Sequence, residues 1–172
     1  MHISLFEGEK NLFAHEKKTK SGVSKQGEGF AAGLLKHVNE FMLATNQWVN
    51  SYKRLIPGQE APVLASWTTG DMNSLIRIPS YRPGREESVR IEYRLPDSAT
   101  NPYLTFSAML MAGLDGIENK IEPGEPMDKD LYDLPPEELA NVPQVPGSLA
   151  EVLDELENNH NFLLKGDVFT PD

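Results

Sequence analysis

The sequence contains no cysteine. That excludes a disulfide framework, a thiolate nucleophile and a cysteine-ligated zinc site. It also lacks a surplus of positive charge: 16 Lys and Arg stand against 26 Asp and Glu, for a formal net charge of −10. Nucleic acid is therefore not the expected partner, because a phosphate track needs Lys and Arg concentrated in a patch. The basic cluster Lys17-Lys18-Thr19-Lys20 stands in a polar stretch and reads as a solvated loop. No apolar run reaches the length of a membrane span, and the first residues lack the basic-then-apolar form of a signal peptide. The expectation is a soluble, cytoplasmic protein with no membrane partner. A glycine-rich phosphate loop is missing too, since Gly27-Glu28-Gly29 meets neither the Walker nor the dinucleotide pattern.

What is present suits one ordinary domain. The chain has 172 residues, 39% of them apolar, enough to close a core of its own. Met1 to Phe6 reads as a strand and residues 7 to 26 as a polar loop. From Gly27 to Asn46, Phe30, Leu34, Leu35, Val38, Phe41 and Met42 recur at helical spacing. Pro57-Gly58 marks a turn and Pro62 closes it, which puts Glu60 in a constrained loop. Val63 to Trp67 and Ser74 to Ile78 are short strand candidates, and a loop over Pro79 to Glu87 leads to a further strand. Pro102 opens a helix to about Asn119 that is apolar nearly all round and so is expected to be buried on most sides. Residues 122 to 147 are punctuated by proline, with a helical turn at Pro135 to Leu139. Ser148 caps a last amphipathic helix to about Leu164. The histidines His15, His37 and His160 read as loop or helix-surface residues without companion ligands. The class is α+β: antiparallel strands of a partial active-site barrel backed by helices.

The most informative run is Val89-Arg-Ile-Glu-Tyr-Arg-Leu-Pro-Asp97. In an extended strand its charged residues Arg90, Glu92 and Arg94 share one face, and Ile91, Tyr93 and Leu95 share the other. Arg54 precedes the Pro-Gly turn, and Arg77 sits inside the apolar strand Leu75-Ile-Arg-Ile-Pro79. An arginine buried in such a strand needs an anion, and its planar fork suits carboxylate or phosphate. For each arginine alone the anion is more readily an internal acid than a ligand. Together with Glu92, an oxygen donor suited to magnesium or manganese, they point to a highly anionic substrate bound with a divalent metal.

In these blocks the chain resembles class I glutamine synthetases. The resemblance rests on His2-Ile-Ser-Leu5, Asn50-Ser-Tyr-Lys-Arg-Leu-Ile-Pro-Gly-Gln-Glu-Ala-Pro62, Leu75-Ile-Arg-Ile-Pro79, Arg90 to Asp97 with Asn101-Pro-Tyr103, and Met109-Leu-Met-Ala-Gly-Leu-Asp-Gly-Ile117. It continues through Asp130-Leu-Tyr-Asp-Leu-Pro-Pro-Glu-Glu138 to Gly166-Asp-Val-Phe169. It implies an ATP-dependent glutamate–ammonia ligase that forms glutamine through γ-glutamyl phosphate, with Mg2+ or Mn2+. Arg54 and Arg94 would then grip glutamate. Arg77 and Arg90 would meet ATP phosphates and the transferred phosphoryl group, with Arg77 catalytic. Glu92 would bind metal, and His2 and Ser4 would line the nucleotide site. Glu60 would lie on a flap that helps bind glutamate and deprotonate ammonium, and Tyr132 matches the tyrosine that some bacterial members adenylylate. The family assembles as a dodecamer.

Some positions depart from that pattern. Met72, in Gly70-Asp-Met-Asn-Ser74, stands where the family commonly has a phosphate-contacting Arg. Gln59 replaces an aromatic residue, and Glu87 stands where a basic residue is frequent. These changes admit two alternatives: a γ-glutamyl ligase for another amine, or a non-catalytic assembly or regulatory relative. The family's N-terminal β-grasp domain, several metal-binding glutamates and its extreme C-terminus have no counterpart in the chain. The expectation is a partial catalytic domain, inactive by itself.

Overall fold

The computed structural model describes residues 1–14, 21–57, 59, 61–70, 74–128 and 135–171. The chain is built on a long central helix, α1, Lys25–Thr45. Ser24 starts it in extended conformation, its Oγ accepting from the Gly27 N–H, and Glu28 adds negative charge to the first turn. Phe30, Ala31, Leu34, Val38, Phe41 and Met42 form its buried face. A short helix, α2 (Val49–Tyr52), follows at once.

A four-stranded sheet lies against α1 in the order β1-β6-β5-β4. These strands are β1 (His2–Ile3), β4 (Leu64–Thr68), β5 (Ser74–Arg77) and β6 (Ile91–Tyr93). β6 pairs antiparallel with β1 and with β5, as expected, whereas β4 runs parallel to β5. Among the described residues the sheet is open. Its inner face carries Ile91, Tyr93, Leu95 and Ile76, all fully buried, and Tyr93 meets Phe41 of α1 with ring centroids 5.9 Å apart. Alternation then turns Glu92 and its neighbours to the other face.

The segment read as a loop from residue 7 onward begins with a hairpin, β2 (Phe6–Glu7) and β3 (Lys10–Asn11). Gly8, at φ +60°, takes the first position of its two-residue turn. Asn11 holds the hairpin to the approach of β6, donating to Glu86 O and Val89 O at 3.1 and 2.7 Å.

Helix α3, Pro102–Glu118, is capped by Asn101 and crosses α1 closely through Ala112, Gly113 and Gly116. It is not buried on most sides. Tyr103 and Phe106 are 83% and 58% exposed, and Leu104, Leu110 and Leu114 are exposed as well, so the described residues cover one face only. After α4 (Pro136–Leu139), α5 (Leu149–Asn158) stops short of the expected end. A kinked 3-10 segment, Asn161–Asp167, follows and packs Phe162 and Leu163 inward. No described helix is long and apolar enough to cross a membrane.

Candidate active site

Strand register assembles the site. His2 stands opposite Glu92, and Glu92 opposite Arg77, so an imidazole, a carboxylate and a guanidinium form one row across three strands. Thr68 continues the row on β4. Arg77 Nη1 donates to Glu92 Oε2 at 3.2 Å, while Arg94 Nε and His2 Nε2 stand 3.8 and 4.0 Å from Glu92 Oε1. The same alternation carries Arg90 and Ser4 to the next step along this face. Arg90 Nη1 donates to Ser88 O at 3.1 Å and Ser4 Oγ to Val89 O at 2.9 Å.

Among the described residues one carboxylate, Glu92, stands with Arg77, Arg90 and Arg94 on this face, which leaves it cationic. Glu92 holds Arg77 in place without cancelling the surplus. Arg77 Nε is buried and makes no hydrogen bond among the described residues. The rest of the Arg77 side chain keeps 30% of its surface open beside Glu92.

Arg54 reaches the site from the other side. Its Nη1 donates to Leu95 O at 2.9 Å and its Nη2 to Arg94 O at 3.0 Å, so the fork clamps the backbone just beyond β6. Burial pulls its pKa down, Asp97 opposes this, and Arg94 adds to the fall. Asn46, fully buried at the end of α1, also donates to Leu95 O, at 3.2 Å. Sequence reasoning missed Asn46; its one signal was an Asn directly after the last helical repeat. A lip of Met1, Arg54, Pro96, Asp97, Ser98 and Thr100 frames an open cavity of about 750 Å3 here.

Glu60, Met72, Tyr132 and His15 lie outside the described residues. His37, read as a surface residue, is buried instead. Its Nδ1 stands 2.7 Å from Glu40 Oε2 and its Nε2 2.8 Å from Asp115 Oδ2, and its ring stacks on Phe162 at 4.1 Å. It shares the helix face of Phe30, Leu34 and Phe41, and α3 and the 3-10 segment close over it. His160 Nδ1 stands 2.8 Å from Leu156 O, in its own turn. Neither joins the row.

Among the described residues no group of three or more His, Cys, Asp or Glu is placed to hold a metal, so Glu92 would supply one carboxylate donor of a coordination sphere and no more.

The model of the family described as "Glutamine synthetase, catalytic domain" matches residues 1–172. The chain is 51% identical over 172 residues to a glutamine synthetase of Streptomyces coelicolor, covering 100% of this chain and 36% of that protein. It is 52% identical over 174 residues to one of Rhodobacter capsulatus, covering 100% and 39%. Against the glutamine synthetase of Escherichia coli strain K12 it is 50% identical over 169 residues, covering 98% and 35%. The chain thus spans little more than a third of the length of these relatives. With the family model matched from end to end, the chain belongs to the glutamine synthetase catalytic-domain family.

Proposed function

We propose that this chain supplies one wall of the active site of an ATP-dependent glutamate–ammonia ligase. The γ-phosphoryl group of ATP passes to the side-chain carboxylate of glutamate, giving γ-glutamyl phosphate and ADP. Ammonia then attacks the acyl carbon and expels phosphate, leaving glutamine. The observation that carries this reading is the row His2–Glu92–Arg77 with Arg94 beside it: an anion-receiving face with a single hard carboxylate at its centre.

The roles proposed are those that the family resemblance implies. Arg77, whose side chain is part-exposed beside Glu92, meets the transferred phosphoryl group, and Arg90 meets phosphate one step along the same face. Arg94, beside the lip framed by Arg54, binds glutamate, with Arg54 completing the grip. His2 and Ser4 line the nucleotide at the edge of the sheet. Glu92 donates to Mg2+ or Mn2+, which would neutralise phosphate charge. Glu60 acts on ammonium from the loop after the Pro-Gly turn. Dodecameric assembly, cytoplasmic location and adenylylation of Tyr132 belong to the same proposal. Ammonia is favoured over a larger amine because the relatives compared are named glutamine synthetases.

The test is a hybrid enzyme in which this chain replaces the matching stretch of the Streptomyces coelicolor glutamine synthetase. Incubated with glutamate, ATP, Mg2+ and ammonium or a panel of amines, it is expected to make glutamine and release phosphate. An assembled hybrid that turns over no amine would refute the reading; turnover of a larger amine in preference to ammonia would replace ammonium as substrate.

A further inference from the structure

Arg94 poses a positional problem. It is the first residue beyond the last paired position of β6, where a single backbone hydrogen bond to β5 is all that the ladder gives it. A long side chain at a strand end needs more support than that, because small displacements of its backbone are amplified at the guanidinium. The residues around it remove that freedom. Its N–H donates to Leu75 O at 3.0 Å. Its carbonyl receives Arg54 Nη2, and the next carbonyl, Leu95 O, receives both Arg54 Nη1 and Asn46 Nδ2.

Asn46 is itself held from every side. It is fully buried; Thr45 Oγ1 donates to its Oδ1 at 2.7 Å, and its N–H donates to Met42 O as the last link of α1. The Tyr52 hydroxyl donates to its backbone oxygen at 2.7 Å, and burial raises that phenol to about 12, so it stays protonated as a donor. Buried polar networks of this kind rigidify what they touch when every member is satisfied. This one ends on the backbone of Arg94 and Leu95.

We propose that Asn46 is a positioning residue for substrate binding: through the Leu95 carbonyl, and with Tyr52 behind it, it fixes where Arg94 presents its guanidinium to the glutamate carboxylate. The inference rests on the reading of Arg94 as a glutamate ligand. It adds to Arg54 a second task, that of clamp on the same backbone.

The experiment uses the hybrid enzyme with Asn46→Asp, Tyr52→Phe and, as reference, Arg94→Ala. Asn46→Asp keeps the shape but removes the donor and sets a carboxylate against a carbonyl. KM for glutamate should rise about tenfold while KM for ATP stays within about twofold. Tyr52→Phe should shift the same constant in the same direction by less. A merely structural role predicts something different: less folded enzyme, hence lower kcat with both KM values intact, and that result overturns the inference. So does a glutamate KM that responds to Arg94→Ala but to neither other variant, in which case the site reading stands. If Arg94→Ala leaves the glutamate KM unchanged, the site reading itself falls and the inference with it.

Discussion

The crossing of α1 and α3 makes a sharp prediction, because two opposed effects of known size meet at single atoms. A Cβ on Gly116 lies 2.0 Å from Gly29 O and 2.6 Å from Gly33 N, both backbone atoms of α1. Replacing a helix-interior glycine by alanine contributes about 1 kcal/mol through propensity. Here the helices must first move apart by about an ångström, since the obstructing atoms cannot rotate away, and overpacking of this kind costs about 1–3 kcal/mol or more. The separation also loosens dispersion contacts along the whole interface. Gly116→Ala is therefore expected to destabilise the chain by about 2 kcal/mol net. Gly29 probes the same contact from the opposite helix, but its Cβ meets Gly116 O at 3.1 Å, which a shift of a few tenths relieves. There the propensity gain offsets the strain, and Gly29→Ala should fall within about 0.5 kcal/mol of the parent. Urea titrations of the three proteins, followed by far-ultraviolet circular dichroism, measure the difference. The reasoning is refuted if Gly116→Ala proves as stable as Gly29→Ala.

Further expectations concern the buried histidine and the helix cap. Burial pushes the His37 imidazole down, but its hydrogen bonds to Glu40 and Asp115 together outweigh that and carry its pKa above the ordinary 6.5. The stability it contributes is then complete below that pH and is lost as pH rises through the higher folded value. Urea midpoints should decline over that window in the parent and flatten in His37→Gln; parallel curves would contradict the assignment. Ser24→Ala removes the cap of α1 and its contact with Leu12 O, at a cost of about 1 kcal/mol or a Tm lower by about 3 °C, readable by scanning calorimetry.

Where the sequence was legible, a local rule sufficed. Periodicity in Phe30, Leu34, Val38 and Phe41 placed α1 to within a few residues, and alternation set Glu92 on the face of β6 opposite to Ile91 and Tyr93, with Arg90 and Arg94 just beyond its two ends. Two-residue strands such as Phe6–Glu7 are too short to display a period, so the hairpin read as loop. The composition of α3 announced apolarity but not how much of it this chain covers, which left Tyr103 and Phe106 exposed. Strand direction has no signature either, hence the parallel pairing of β4 with β5. The same limit explains the site. Its charged side chains stood out as motifs. Asn46 and the clamping action of Arg54 did not, because a side chain bound to a distant carbonyl leaves no spacing to read.

The proposed function turns on one carboxylate, Glu92, which pairs with Arg77 and, in that proposal, would offer oxygen to a cation. The direct measurement is the Mg2+ dependence of phosphate release by the hybrid enzyme, with and without Glu92→Gln. The account predicts that half-saturation moves to higher Mg2+ by about tenfold or more while the protein remains assembled. An unchanged half-saturation, with only the rate altered, would contradict it.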